Sequence, residues 1–111
     1  MRTHNYFVYI ITNKNKTVLY TGVTNDLEQR LTEHFLNNGK KETFAGKYNC
    51  CFLLFYERFQ YIDKAIDREK EIKGWTRKKK EALILIGNPE WEFLNSKIMP
   101  WPPADPSLRS G

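Results

Sequence analysis

The chain has 111 residues, a length that suits one domain with one modest hydrophobic core. Hydrophobic residues make up 41% and aromatic residues 14% of the sequence, which excludes an intrinsically disordered chain. The formal net charge of +5 favours a polyanionic partner, although charge alone does not establish one. No apolar run approaches the roughly 18 residues of a membrane span, so we expect no membrane partner. The start of the chain lacks the apolar segment of a signal peptide, which favours a cytoplasmic location.

The N-terminal part of the sequence predicts an antiparallel hairpin. Residues 6–12 and 17–23 are rich in β-branched and aromatic side chains, as strands are. A polar turn, Asn-Lys-Asn-Lys, separates them, and we expect Asn13 and Asn15 to adopt the positive φ angles of a tight loop.

A helix, a basic loop and a third strand are predicted next. Asn25 followed by Glu28 resembles a capping box, and the helix that begins there should end near Asn37. Residues 50–59 are almost continuously apolar, the pattern of a strand covered on both faces. We therefore expect this strand to lie in the centre of the sheet.

The C-terminal half predicts two further helices. One should span residues 62–73 and end at Gly74, and Thr76 is suited to cap another that ends at Gly87. Asn88, followed by proline, predicts the N-cap of one more short helical turn.

The predicted element order is β-β-α-β-α-α. It indicates a small α/β (α+β) fold in which helices flank a three-stranded antiparallel or mixed sheet. We expect one domain over residues 1–95 and a proline-rich, extended or disordered tail over residues 96–111.

Five side chains form the candidate site. Glu69 falls on the inward face of the second helix, where an unpaired carboxylate is unfavourable. Arg30 and His34 lie one turn apart at the border of the apolar face of the first helix. Tyr9 and Tyr20 lie in the hairpin strands. For each residue an alternative stays open: a salt bridge of Glu69 with an arginine at the core rim, and ordinary packing for the other four.

These residue types together suit phosphodiester hydrolysis. A carboxylate can hold Mg²⁺ or Mn²⁺, and arginine presents a charged planar fork to phosphate oxygens. A tyrosine, whose pKa is ordinarily about 10, serves as a base only if nearby cations lower that pKa.

The arrangement resembles the GIY-YIG endonuclease superfamily, in particular its small stand-alone bacterial members. Phe-Val-Tyr at 7–9 and Tyr-Thr-Gly at 20–22 stand where the two name-giving triplets belong. Arg30 with His34 matches the helix motif of the family, and residues 68–75 match the segment that carries its metal-binding glutamate. The resemblance covers all of the sequence except the C-terminal tail.

The resemblance implies a role for each candidate. Glu69 would hold a single Mg²⁺ or Mn²⁺ ion, and Arg30 would bind the scissile phosphate. Tyr9 or Tyr20 would help to deprotonate the attacking water, and His34 would share that proton transfer. The order of the proton transfers stays open.

Other positions agree with the family pattern only in part. Gly22 would let the backbone turn tightly beside the site, and Asn88 either matches a late asparagine of the family or caps a helix. Phe7 replaces the glycine of the first triplet, and Thr21 replaces the isoleucine of the second. Val23 stands where some relatives have a lysine.

Two basic stretches frame the candidate site and are predicted to bind nucleic acid; they contain Lys40, Lys41, Lys47, Arg77, Lys78, Lys79 and Lys80. The alternative is a solvated, lysine-rich surface. Trp75 either stacks on an unpaired base or packs in the core. Since no array of base-reading side chains is present, binding should depend on the phosphate backbone.

The sequence thus predicts a metal-dependent endonuclease that acts on DNA or RNA with weak sequence preference. Its targets would be structures such as flaps, nicks or branches, as in DNA repair, because the short chain leaves no room for a targeting domain. A separate protein partner is another route to a target. The alternative is a nucleic-acid-binding module with little or no catalysis, which Phe7 and Val23 favour and the inward carboxylate disfavours.

Overall fold

The structure is a computed structural model and describes residues 4–103. Within this range three strands form one sheet, and five helices cover it. The strands are β1 (Tyr6–Thr12), β2 (Leu19–Thr24) and β3 (Phe52–Phe59). The helices are α1 (Leu27–Leu36), α2 (Phe44–Lys47), α3 (Ile62–Lys73), α4 (Arg77–Gly87) and α5 (Asn95–Ile98). The predicted fold class, a three-stranded antiparallel sheet flanked by helices, is confirmed.

Helices pack on both faces of the sheet because successive side chains of a strand point to opposite sides. On the first face, which we call the α1 face, α1, α2 and the C-terminal segment pack on the sheet. Its buried cluster contains Tyr9, Ile11, Leu27, Leu31, Ala45, Cys50 and Leu53. The α3 face carries α3 and α4. Its buried cluster contains Val8, Ile10, Leu54, Ala65, Ile72 and Ile84.

The order of the strands corrects one prediction. The sheet order is β2-β1-β3, so β1 is the central strand and β3 lies at an edge. The apolar run of β3 reflects cover on both faces: Leu53 faces the α1 side and Leu54 the α3 side, and both are fully buried. A continuous apolar run therefore reports helices on both sides of a strand and not its position in the sheet.

Two buried asparagines close the outer edge of β3. The Asn95 side chain accepts a hydrogen bond from the Leu53 N–H at 2.8 Å and donates one to the Cys51 carbonyl at 2.9 Å. The Asn88 amide donates to the Leu54 carbonyl at 3.1 Å. These side chains take the place of a fourth strand, since they satisfy backbone groups that an edge strand leaves unpaired.

The hairpin loop differs from the prediction in one respect. Lys16, and neither Asn13 nor Asn15, has the positive φ angle, 59°. The Asn13 side chain instead accepts hydrogen bonds from the N–H groups of Thr17 at 2.8 Å and Val18 at 3.2 Å. Asn13 therefore shapes the loop through its side chain.

The bounds predicted for the helices over 62–73 and 77–87 are confirmed. Thr76 caps α4 by accepting from the Lys79 N–H. The start of α1 was predicted one residue too early. Its N-cap is Asp26, whose carboxylate accepts from the Gln29 N–H at 3.0 Å, so Asn25 precedes the cap.

The segment after α4 departs most from the prediction. Asn88 is the C-cap of α4 rather than the N-cap of a new helix, and the last short helix begins at Asn95. The segment predicted as a tail is packed as far as it is described: Ile98, Met99 and Trp101 lie against the α1-face cluster. The rest of that segment, residues 104–111, lies outside the described residues, and the domain boundary at residue 95 stays a prediction.

Candidate active site

A buried tyrosine and a histidine form the centre of the candidate site. Tyr9, in β1, points to the α1 face and is 2% exposed. Its Oη lies 2.9 Å from His34 Nε2. His34 follows the fully buried Leu31 by three residues, so the helical repeat turns both side chains towards the sheet.

Gly22 provides the space that the Tyr9 ring occupies. The two residues lie opposite each other in the β1–β2 ladder. A Cβ atom on Gly22 would lie 2.4 Å from Tyr9 Oη and 2.5 Å from its Cζ, far inside contact distance. Gly22 was predicted to permit a tight turn. It lies within β2, however, and its missing side chain allows the strand to pass close to the phenol.

Tyr20 extends the site towards the edge of the sheet. Its ring centroid lies 5.7 Å from that of His34 and 6.5 Å from that of Tyr9. The Lys73 ammonium, from the last turn of α3, lies 5.9 Å from the Tyr20 centroid. Tyr20 therefore lies between α1 and the end of α3, at the strand with no neighbour on its outer side within the described sheet.

Glu69 approaches the same region from α3. Its side chain is 14% exposed, and its Oε2 lies 3.0 Å from Lys73 Nζ. The inward orientation expected from the helical repeat is confirmed, and the partner is a lysine one turn away instead of an arginine. Lys73 was missed as a site residue, although its i, i+4 spacing from Glu69 indicates the pair.

Arg30 is the most accessible of the five predicted site residues. Its side chain is 44% exposed, and its Nε lies 3.7 Å from the Glu33 carboxylate. Glu33 was also missed, and its i, i+3 spacing from Arg30 is the sequence signal that indicates it. An exposed ion pair of this kind is weak, so the guanidinium can exchange Glu33 for a phosphate.

The protonation of Tyr9 and His34 follows from their burial. Burial and the neighbouring Tyr20 raise the pKa of Tyr9, and the opposing effect of the Arg30 charge is smaller. The condition set for a tyrosine base, a pKa lowered by nearby cations, is therefore not met at Tyr9. Burial, with a further contribution from Arg30, lowers the pKa of His34 to about 4. At neutral pH both groups are uncharged. If the proton of His34 is on Nδ1, the Tyr9 phenol donates to Nε2; if it is on Nε2, the phenol oxygen accepts.

A comparison with known protein families covers the part of the chain that carries these residues. The model of the GIY-YIG catalytic domain matches residues 5–82, a range that contains all five candidates. The chain belongs to the GIY-YIG family. It is therefore a member of a nuclease family, whose substrates are nucleic acids.

Similar GIY-YIG proteins come from bacteria and archaea. A UPF0213 protein of Bacillus pumilus is 36% identical over 84 residues, which are 76% of this chain and 83% of that protein. One from Haloquadratum walsbyi is 40% identical over 82 residues, or 74% and 89% of the two chains. The solution NMR structure of a UPF0213 protein from Bacillus halodurans is 29% identical, covers 86% of this chain and 98% of that chain, and superposes with a TM-score of 0.51. The names of these relatives specify no activity.

The three departures from the GIY-YIG pattern have separate structural consequences. Phe7 packs on the α1 face with its ring 6.3 Å from that of Tyr56, so it adds to the core. Val23 packs in the α3-face cluster. Thr21 leaves a defect, because its buried Oγ1 has no hydrogen-bond partner in the part of the chain that the structure describes.

The Glu69 carboxylate is an oxygen ligand of the kind that hard divalent cations prefer. Among residues 4–103, no group of three or more histidine, cysteine or acidic side chains is placed to hold an ion. Zinc needs at least three such ligands. Mg²⁺ is commonly bound by one or two carboxylates together with water and substrate phosphates, and one nearly buried carboxylate meets that need. GIY-YIG nucleases in general use a divalent metal, and Glu69 is the residue that would hold it here.

The predicted basic residues are at the surface, and one of them has a structural role. The Arg77 guanidinium donates to the carbonyls of Thr17 at 2.6 Å and Lys16 at 3.0 Å, and it pairs with Glu81 at 3.0 Å. It thereby ties the start of α4 to the hairpin loop. The remaining predicted nucleic-acid contacts, Lys40, Lys41, Lys47, Lys78, Lys79 and Lys80, stay predictions.

Trp75 and Asn88 are engaged elsewhere in the fold. Trp75 packs against the α3-face cluster, with Lys79 Nζ 4.5 Å and the Arg68 guanidinium 5.2 Å from its ring centroid. The packing alternative therefore describes Trp75 better than base stacking. The Asn88 amide binds the Leu54 carbonyl at the edge of β3, so its hydrogen bonds belong to that edge instead of the candidate site.

Proposed function

We propose that this protein is a divalent-metal-dependent endonuclease that hydrolyses phosphodiester bonds in DNA and selects its target by structure more than by base sequence. One observation carries the proposal: a buried tyrosine is hydrogen-bonded at 2.9 Å to a neutral histidine beside an accessible arginine. Ionisable groups with shifted pKa values that lie together beside an arginine are typical of functional sites, and Gly22 leaves the room that the phenol occupies.

The tyrosine and histidine are suited to move a proton from water. Because burial raises the pKa of Tyr9, the phenol acts as a relay and not as a preformed phenolate. Tyr9 would accept a proton from the attacking water as it transfers its own to His34 Nε2. A phosphate near Arg30 would offset the positive charge that helps to lower the pKa of His34. Substrate binding would therefore increase the proton affinity of His34 when the proton arrives.

Arg30 and Glu69 would act on the phosphate itself. The Arg30 fork would bind the non-bridging oxygens and stabilise the charge that develops on them. A divalent ion held by Glu69 would supply Lewis-acid activation and charge screening. Lys73 would leave Glu69 when the ion binds and would remain beside Tyr20, where its ammonium can meet the substrate backbone.

The surface charge supports backbone-led binding. The exposed lysines after α1 and at the start of α4 would contact phosphates, which gives affinity that falls steeply with salt. DNA is the proposed substrate, and the experiment below includes RNA so that the two can be compared. The proposal includes a cytoplasmic role in DNA repair, a process in which structured DNA such as flaps and nicks arises.

The test is cleavage of labelled duplex, single-stranded, flap and branched DNA, and of matched RNA, with Mg²⁺, Mn²⁺ or a chelator. Glu69→Gln should lower the cleavage rate by about 100-fold or more, since the metal site supplies several kcal/mol of transition-state stabilisation. Glu71→Gln is the matched control, because Glu71 is on the same helix, is 54% exposed and pairs with Arg68. Equal rates for both variants, or cleavage without metal, would contradict the proposal.

The second candidate is a nucleic-acid-binding module without catalysis. The ion pair between Glu69 and Lys73 favours it, because the ammonium lies where a metal ion would have to bind. In that case the wild-type protein would bind DNA without cutting it in either metal. Binding would be unchanged or tighter in Glu69→Gln, since the substitution removes a negative charge that repels phosphate.

A further inference from the structure

Three aromatic rings lead from the candidate site to the surface. Tyr20 stacks on Phe44 of α2, with centroids 6.1 Å apart and planes at 24°. The Phe44 ring lies 4.9 Å from that of Tyr48. Phe44 is 52% and Tyr48 38% exposed. We call Phe44 and Tyr48 the aromatic platform; its inner end is continuous, through Tyr20, with His34 and Tyr9.

The backbone beneath the aromatic platform is tightly packed. The Gly46 carbonyl accepts from the Gly39 N–H at 2.9 Å, and the Gly46 N–H donates to Thr43 Oγ1 at 3.0 Å. A Cβ atom on Gly46 would lie 2.4 Å from the Lys40 carbonyl oxygen. The exposed rings therefore stand on a firmly held turn, so little ordering entropy remains to be lost when a flat ligand binds.

Cations surround the aromatic platform. Lys47 Nζ lies 5.3 Å from the Tyr48 centroid, and Lys73 Nζ lies 5.9 Å from that of Tyr20. Lys40 and Lys41 are exposed in the adjoining loop. Exposed aromatic rings flanked by positive charge are the combination that binds single-stranded nucleic acid, since the rings stack on bases and the cations follow the phosphates.

We infer that the aromatic platform stacks on an unpaired base next to the phosphate that is cut. The inference rests on the proposed function and specifies its substrate class: DNA with unpaired nucleotides at the site, as in a single strand or a flap. A base inside a duplex is already stacked on both faces and cannot cover Phe44 without leaving the helix. The platform would therefore discriminate by base pairing and not by base identity.

The test measures binding, so it does not depend on catalysis. Fluorescence anisotropy would compare an oligothymidine single strand with a blunt duplex in the presence of a chelator. Phe44→Leu keeps an apolar side chain but removes the aromatic face, and it should weaken single-strand binding by roughly 5- to 50-fold with little effect on the duplex. Phe44→Trp, which keeps an aromatic face at this position, should bind the single strand about as well as the wild type does.

Tyr61→Leu is the control for loss of an exposed aromatic ring. Tyr61 is 61% exposed and precedes α3, roughly 18 Å along that helix from Lys73 at its other end. Thermal unfolding of each variant verifies that it folds. Equal weakening for both DNA forms, no weakening, or the same loss in Tyr61→Leu would overturn the inference.

The outcome also separates this inference from the proposed function. Selective loss of single-strand binding in Phe44→Leu, in a protein that never cuts DNA, supports the aromatic platform and contradicts the nuclease. Cleavage that depends on Glu69, with Phe44→Leu acting like wild type on every DNA form, supports the nuclease and overturns the platform.

Discussion

The two edges of the sheet are completed in opposite ways. Along β3, Asn88 and Asn95 provide hydrogen bonds to backbone groups that a further strand would otherwise satisfy. Along β2, the outer side lacks a neighbouring strand within the described sheet, and Thr21 buries a hydroxyl without a partner. The candidate catalytic groups lie towards this second edge. Side-chain amides pair with backbone groups at the β3 edge, whereas the one buried side-chain polar atom without a partner among the described residues lies in β2.

Asn95→Ala should have the largest effect on stability. It removes two hydrogen bonds and leaves the Leu53 N–H and the Cys51 carbonyl buried and unpaired, so the free energy of unfolding should fall by about 3 kcal/mol. Urea denaturation measures this loss. Asn25→Ala is the control, because Asn25 is exposed and precedes the true cap of α1.

If the β3 edge serves stability alone, Asn95→Ala should leave the cleavage activity unchanged. Any cleavage rate, expressed per folded molecule, should equal that of the wild type at a temperature where the variant is folded. A rate loss without a stability loss would show that the β3 edge is part of the site.

Gly22→Ala should affect stability and the candidate site together. The added methyl group would overlap Tyr9 Oη and Cζ, which displaces the phenol from His34 and lowers the free energy of unfolding by about 2 kcal/mol. Gly87→Ala is the matched control, since a Cβ there meets nothing within 4 Å and a helical alanine is favourable. Thermal denaturation of both variants provides the comparison, and equal midpoints would contradict the close approach of β2 to Tyr9.

His34 should make a smaller contribution to stability that depends on pH. Its pKa is lowered to about 4 in the folded protein from an ordinary value of 6.5, so the unfolded chain binds more protons between these values. The contribution is fully present above pH 6.5 and is lost as the pH falls through 4. With allowance for partial exposure it amounts to about 1–2 kcal/mol.

The matching measurement compares unfolding of the wild type and His34→Gln at pH 7 and pH 4.5. The aspartate and glutamate side chains also titrate in this interval, but they are the same in both proteins, so their effects cancel in the difference. The wild type should lose more stability than the variant over this interval. Equal losses would mean that His34 is solvated in the folded state and unsuited to accept the Tyr9 proton.

Much of the fold was predictable because its signals are local. The bounds of α3 and α4 follow from Gly74, the Thr76 cap and a 3.6-residue apolar repeat, all read within a few residues. The position of β3 was not predictable, because its apolar pattern is the same for a central strand and for an edge strand covered on both faces. Asn88 and Asn95 bond to residues 34 and 44 positions away, and no local spacing indicates such pairs.

The candidate site shows the same division. The inward side of Glu69 follows from the helical repeat alone. The contact of Tyr9 with His34 joins residues 25 positions apart, so no local spacing indicated it; the residue types and the resemblance to a family grouped the two side chains. Burial decides the sign of the Tyr9 pKa shift, and the depth of burial of one strand residue depends on the whole fold.

The hydrogen bonds from Asn88 and Asn95 to β3 also affect which fragments of the chain should be soluble. A chain cut at residue 82, where the family match ends, would keep all five candidate catalytic residues and lose both asparagines. The freed edge of an apolar strand would then template pairing between copies, so such a fragment should aggregate although its site is complete. A soluble preparation for kinetics therefore has to include the segment that carries Asn88, Asn95 and the packed Trp101.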